Sequence, residues 1–384
     1  AIAFGAAAAG CKFYSAYPMT PATGVLHWLA PRGSKYGIVV KQCEDEISAM
    51  CMAVGAGHAG ARSMTGTSGG GFSLMTEAVG LSSMIEAPVV VLNCMRGGPS
   101  TGLPTKTEQA DLFQAIGASQ GDYPKIVMAP STTEDAFYCT VEALNLSEIY
   151  QCPVLLLSDL LLSEHYETID DLDFSRVRIE RGELVTNSNG GGGEYKRYLI
   201  TPSGISPRVL PGTAGKNYVA GSDEHDEDGT LISDVFTDPV KRKAMMEKRM
   251  RKLDLMLKNL PEPKIEGPAD ADITLVGWGS TYYIIRDVIR ILEKENIKVN
   301  HLHIKYLMPF QSEAVSRLLK SCKKTLIIEN NFTGQLERLI RQETGLSLQH
   351  KFRKYDGEPF TPTEVYQKVK ELVSGAKKPE LAAR

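Results

Sequence analysis

Several groups of residues in this 384-residue chain have types and spacings that could do chemistry. Cys43, Glu44, Asp45 and Glu46 open a segment, 47–57, in which Ile47, Met50, Cys51 and Val54 recur at helical spacing. Taken alone, acids at a helix start are caps and dipole partners. Gly66-x-Ser68-x-Gly70 lies between a strand pattern and a helical one, the context of a serine nucleophile elbow. His165 and His225 are its candidate bases, neither in a recognisable signature; the same glycines would also let a flat cofactor approach the backbone. Gly55-x-Gly57-x-x-Gly60 spells a dinucleotide fingerprint, but a helical pattern runs into it where a strand is required, so its glycines read as close-packing positions. The acidic run 223–228 around His225 offers metal ligands or, more simply, a solvated loop. His301 and His303 share one face of a strand with no third ligand in view, which reads as surface or interface histidines. The run 277–281 (GWGST) opens a helix, and both an anion site and a structural turn stay open there.

The elements that must position these groups alternate. Strand patterns at 37–41, 62–66, 89–94, 125–128 and 154–158 are separated by helical ones, which predicts a largely parallel sheet covered by helices over residues 1–185. Residues 186–262 differ: a flexible Gly-rich stretch at 187–194, a Pro/Gly-rich segment, the acidic run, and a basic helix at 241–258. That helix is expected to pack a stripe of Met246, Met250, Leu253 and Leu257. After a linker at 261–271, a second α/β unit fills 263–384, with strands at 272–277, 299–306 and 325–329 and helices at 282–294, 313–322 and 332–344.

Composition narrows the function. A net charge of −3 provides no overall basic field for nucleic acid. The apolar runs are far shorter than the roughly 20 residues of a membrane span. Residues 1–11 are small and apolar with no basic stretch before them, a poor secretory signal. The seven cysteines are odd in number and dispersed, which suits reduced thiols in a cytoplasmic setting. No CxxC occurs, so the chain is not expected to build a four-Cys zinc or iron–sulfur site by itself.

Read together, Tyr17-Pro18-Met19-Thr20-Pro21, the Glu44–Ile47 helix start, Thr65 to Gly71 (TGTSGGG), and Arg96 to Thr105 (RGGPSTGLPT) resemble the 2-oxoacid:ferredoxin oxidoreductase family, closest to the α subunit of its 2-oxoglutarate enzymes. Gly204 to Arg208 (GISPR), Glu224 to Glu227 (EHDE) and Glu329 to Leu336 (ENNFTGQL) extend the resemblance over nearly the whole chain. Met19 stands where the family often has Ile, a swap of similar volume.

The resemblance implies a pyrimidine-binding domain of a thiamine-diphosphate enzyme plus a transketolase C-terminal-like α/β domain. It implies oxidative decarboxylation of a 2-oxoacid, 2-oxoglutarate foremost, with coenzyme A as co-substrate. It points to Glu46, nine residues before Gly55, as the catalytic acid at the aminopyrimidine ring, leaving Glu44 and Asp45 as capping or exposed acids. Arg96 and Thr20 would hold the substrate carboxylate, Thr101 and Thr105 would face the substrate, and Ser68 and Gly69 would line the cofactor pocket. The chain lacks a GDG…N motif. Mg²⁺, the cofactor's diphosphate and a [4Fe-4S] cluster are therefore expected on a β subunit that passes electrons to ferredoxin, with a paired heterodimer as the assembly and a γ subunit or domain as a further part. The competing readings are a serine hydrolase using Ser68 and a non-catalytic scaffold subunit.

Overall fold

In the computed structural model, which describes residues 1–186, 195–233 and 237–374, two mainly parallel sheets carry the molecule. The Gly-rich stretch at 187–194 lies outside the described residues. The strands are β1 (Phe13–Ala16), β2 (Val39–Gln42), β3 (Ser63–Thr67), β4 (Val89–Met95), β5 (Ile126–Met128), β6 (Pro153–Asp159), β7 (Ile265–Glu266), β8 (Ile273–Gly277), β9 (Val299–His303), β10 (Tyr306–Met308), β11 (Thr325–Glu329) and β12 (His350–Arg353). The first sheet runs β10-β5-β6-β4-β3-β1-β2 and the second β12-β11-β8-β9-β7. Only β10 and β7 pair antiparallel. Central strands β3, β4 and β6 are buried along their whole length, as expected of a parallel sheet covered on both faces. The α/β class expected from the strand–helix alternation is the one observed.

Local chemistry fixes the elements around the cavity described below. Asp45 closes a capping box: its carboxylate accepts the Ser48 N–H at 2.7 Å, and its own N–H donates to Ser48 Oγ at 3.3 Å. The helix Glu46–His58 therefore begins at Glu46, while Glu44 is exposed. Gly57 lets this helix lie on the strand layer, since a Cβ there would fall 2.0 Å from the Pro88 carbonyl oxygen. The GxGxxG run is thus a packing feature.

Four expectations are corrected. The single strand at 299–306 is two strands. β9 stays in the second sheet, and β10 crosses to pair with β5 at the edge of the first, so the two units share a sheet edge as well as a core that includes Val127, Leu155, Val276 and Leu302.

The basic helix, Pro239–Asn259, does not bury the expected Met/Leu stripe. It buries Met245, Lys248, Arg249, Lys252 and Met256, while Leu257 is exposed. The cause is Glu86, wholly buried, whose carboxylate takes ion pairs from both Lys248 and Lys252. A buried charge demands partners more strongly than a methionine demands burial.

The acidic run is not a solvated loop. Glu224 is bound bidentately by Arg249 at 2.8 and 2.6 Å and also by Arg242, and the His225 ring is buried 3.9 Å from that of Tyr198. His301 is likewise buried and His303 largely so, under Tyr282 with their rings 5.4 Å apart, and burial pushes His303 down to about 4. Among the described residues no group of three or more His, Cys, Asp or Glu is arranged to hold a metal ion, and no helix is long and apolar enough to cross a membrane.

Candidate functional site

A cavity of about 770 Å³ opens where β3 and β4 end, lined by residues including Met19, Gly69, Gly70, Arg96, Thr101 and Asp111. Ligand sites in open α/β sheets sit at such strand ends. Behind it, β3 turns through Thr67 and Ser68 into the helix Gly69–Met84. Two of the three glycines in this turn are required by close approach. A Cβ at Gly71 would lie 2.2 Å from Thr67 Oγ1 and 2.5 Å from Glu46 Oε1; one at Gly69 would lie 2.5 Å from Asp111 Oδ2. Two carboxyls from other elements thus touch one helix start, where the positive end of the helix dipole favours them.

Glu46 is the unusual member. It is 4% exposed, and its Oε1 is buried without a hydrogen-bond partner. Thr65 Oγ1 and Ser68 Oγ, on the adjoining strand end, are also buried and unpartnered. Leaving such atoms unpaired costs about 1–3 kcal/mol each, so a cluster of them marks a place that a polar ligand completes. Gly69 and Gly70 line the cavity, and Gly71, next in the same turn, abuts Glu46 Oε1, so this one turn borders both the Glu46 carboxyl and the open cavity.

Arg96 stands just past β4 and donates from Nη1 to the Thr20 carbonyl at 2.7 Å. Among the described residues no carboxylate lies within ion-pair distance of it. One guanidinium nitrogen holds the YPMTP turn, and Arg96 also lines the cavity, where its other donors suit a carboxylate. Thr20 therefore meets Arg96 through its backbone oxygen. Thr101 lines the cavity, and Thr105 is exposed and not part of the lining.

Ser68 makes no hydrogen bond to any histidine among the described residues, and its φ of −125° is ordinary extended backbone, unlike a strained elbow. Neither expected base approaches it: His165 packs on Tyr283 and His225 on Tyr198.

The sequence reading missed Glu108 and Asp111, which line the cavity beside Arg96. Burial pushes both carboxyls up; Asn93 Nδ2, donating to Asp111 at 3.1 Å, and the Arg96 charge partly offset this for Asp111. No local pattern marked them, because both sit in an irregular segment whose place is set by the second unit.

A family model described as "Pyruvate flavodoxin/ferredoxin oxidoreductase, thiamine diP-bdg" matches residues 4–238. The chain belongs to the 2-oxoacid:ferredoxin oxidoreductase family. A second model, "Pyruvate:ferredoxin oxidoreductase core domain II", matches residues 271–365. The α subunit of 2-oxoacid:ferredoxin oxidoreductase 1 from Sulfurisphaera tokodaii is 38% identical over 98% of this chain, which spans 61% of that relative's length. The 2-oxoglutarate synthase subunit KorA from Methanothermobacter thermautotrophicus is 31% identical over 95% of both chains. Among solved structures, 2-oxoglutarate:ferredoxin oxidoreductase from Magnetococcus marinus, with 2-oxoglutarate, coenzyme A and succinyl-CoA bound, superposes with a TM-score of 0.90 at 38% identity, over 97% of this chain and 64% of that one. The fold and the α-subunit relationship inferred from the motifs are those of the family.

Proposed function

We propose that this chain is the α subunit of a 2-oxoacid:ferredoxin oxidoreductase that, with a partner subunit, converts a 2-oxoacid, coenzyme A and oxidised ferredoxin to an acyl-CoA, CO₂ and reduced ferredoxin. The observation that carries the reading is the buried, unpartnered Glu46 carboxyl, held against the glycine turn that lines a cavity shared with Arg96. The buried polar atoms fit the aminopyrimidine end of thiamine diphosphate, which would be held by Glu46, Ser68 and Gly69. When bound, this cofactor supplies the carbon nucleophile and electron sink that decarboxylation of a 2-oxoacid needs.

The chain's own residues perform the supporting work. Glu46 holds and releases a proton at Oε1 in a water-poor pocket, where its hydrogen bond is strongest. Arg96 binds the substrate carboxylate with its free donors, held in place by the Thr20 carbonyl, and Thr101 borders it, whereas Thr105, outside the lining, is left without a role in this reading. The name and ligands of the Magnetococcus enzyme favour 2-oxoglutarate, giving succinyl-CoA. Mg²⁺, the diphosphate and a [4Fe-4S] cluster belong to the β subunit in this reading, since this chain has neither a GDG motif nor clustered cysteines. Ferredoxin as acceptor, a γ part, paired heterodimers and a cytoplasmic setting complete it, with residues 1–185, 186–262 and 263–384 as pyrimidine-binding domain, connector and second domain.

The test is to co-produce the full chain with its partner subunit. Viologen reduction should then require both a 2-oxoacid and coenzyme A, with 2-oxoglutarate preferred over pyruvate. Esterase labelling at Ser68 without 2-oxoacid oxidation would overturn the proposal.

A further inference from the structure

The segment 107–114 carries Glu108, Ala110, Asp111 and Gln114 of the cavity wall, yet no strand and only the five-residue helix Leu112–Ile116 shapes it. Its backbone polar groups are satisfied from the second α/β unit. The Thr107 N–H donates to the Gly357 carbonyl at 3.2 Å and the Gln109 N–H to the Asn330 carbonyl at 2.7 Å. Asn331 Nδ2 donates to the Gln109 carbonyl at 3.1 Å. Gln335 grips both sides of Asp111: its Nε2 donates to the Ala110 carbonyl at 2.6 Å, and its Oε1 accepts the Phe113 N–H at 3.2 Å. The second of these bonds is a cap supplied from another unit. Asp111, at the N-cap of the short helix, makes no side-chain cap bond, so Phe113 would otherwise keep an orphan amide.

We propose that Gln335 is a positioning residue for the 2-oxoacid pocket, clasping Ala110 and Phe113 so that Asp111 keeps its place beside Arg96 and Gly69. This rests on the function proposed above, and it gives the ENNFTGQ run a role. The tolerance is small, because Asp111 Oδ2 already occupies the space of a Gly69 Cβ. The turn that carries Gln335 does not depend on its side chain. Asn331 Oδ1 accepts the backbone N–H groups of Gly334 at 2.7 Å and Gln335 at 3.2 Å, and buried Glu329 accepts those of Leu336 at 2.7 Å and Glu337 at 3.0 Å. Removing the amide therefore loosens the cavity wall while leaving the second unit folded. The Glu46 helix is capped by its own Asp45 and lies outside the clasp.

The experiment compares Gln335→Met, which keeps length and volume but loses both bonds, with Gln335→Glu, which keeps only the acceptor for Phe113. Both are made in the full chain assembled with its partner. The expected result for Gln335→Met is a KM for the 2-oxoacid raised roughly tenfold, the equivalent of one net hydrogen bond or slightly more. The kcat stays within about twofold, the KM for coenzyme A is unchanged, and the unfolding temperature falls by no more than a few degrees. Gln335→Glu falls between. Amide hydrogen exchange over 108–116 should accelerate in the same order. Unaltered exchange there overturns the clasp, whatever the enzyme turns over. Accelerated exchange with an unchanged KM overturns its role in substrate binding. A parent assembly that oxidises no 2-oxoacid removes the function proposed above, while the exchange result still judges the clasp.

Discussion

At the scale of single residues, the site is a set of polar atoms kept in unusual company. Arg96 spends one donor on the Thr20 carbonyl and also lines the cavity. Arg96→Ala should therefore raise the KM for the 2-oxoacid by about two orders of magnitude, the size of a lost charge-assisted contact of roughly 2–3 kcal/mol, with kcat less affected. Steady-state kinetics over a wide substrate range checks this, and an unchanged KM would remove Arg96 from carboxylate binding. Glu108 and Asp111 make a pH prediction. Burial raises both, so they keep their protons above the ordinary carboxylate range and lose them as pH climbs further. Each ionisation adds negative charge beside Arg96, so the KM should rise as pH climbs above the ordinary carboxylate range. In Asp111→Asn that rise should be shallower. The sign for stability is the same: the folded chain holds these protons more tightly than the unfolded one, so their contribution is greatest at low pH and falls as pH rises through their folded values.

At the scale of elements, the basic helix Pro239–Asn259 is held by charge. Burial pushes the Glu86 carboxyl up, and Lys248, Lys252 and Arg197 more than reverse this, holding it well below the usual carboxylate range. Glu86→Gln would leave two buried ammonium groups without their counter-charge and should destabilise the chain by about 3–5 kcal/mol, measured by denaturant unfolding. The parent's Glu86 term is present above the ordinary glutamate pKa and is lost as pH falls toward the folded value; on the alkaline side the pair weakens as Lys248, which burial pushes down to about 7, gives up its proton. The sequence made this helix legible and its buried face illegible. Helical spacing marks Met246, Met250, Leu253 and Leu257, but which face turns inward was decided by a glutamate 162 positions away from Lys248. The strands β3, β4, β6, β8 and β11 were legible within a residue or so, because runs of β-branched and apolar residues bounded by turns leave little choice. The split of 299–306 into two strands was not, since β10 exists only because β5 offers it an edge. Glu46, Ser68, Gly69 and Arg96 are proposed from motifs that resemble a family, whereas Asp111 and Gln335 stand out only through contacts between units.

At the scale of the whole molecule, the two α/β units form one packed body in which the second completes the cavity wall of the first. Asp159 at the end of β6 accepts Ser280 Oγ at 2.6 Å, and Gln109 Nε2 reaches both Asp159 and the Trp278 carbonyl, so the GWGST run serves as the turn that locks the units together. The cavity still opens outward and the Glu46 carboxyl still lacks a partner, as suits a site finished by another chain. The isolated chain should therefore bind thiamine diphosphate weakly and oxidise no 2-oxoacid, and adding the partner subunit should restore both, measured by calorimetry and viologen reduction. The chemistry proposed for this site turns on one side chain, so the decisive variant is Glu46→Gln in the assembled enzyme. It keeps the volume and removes the ionisable group. In that variant 2-oxoacid-dependent viologen reduction should fall by at least about a hundredfold, with assembly and unfolding temperature unchanged. Activity retained within a few-fold of the parent would contradict it.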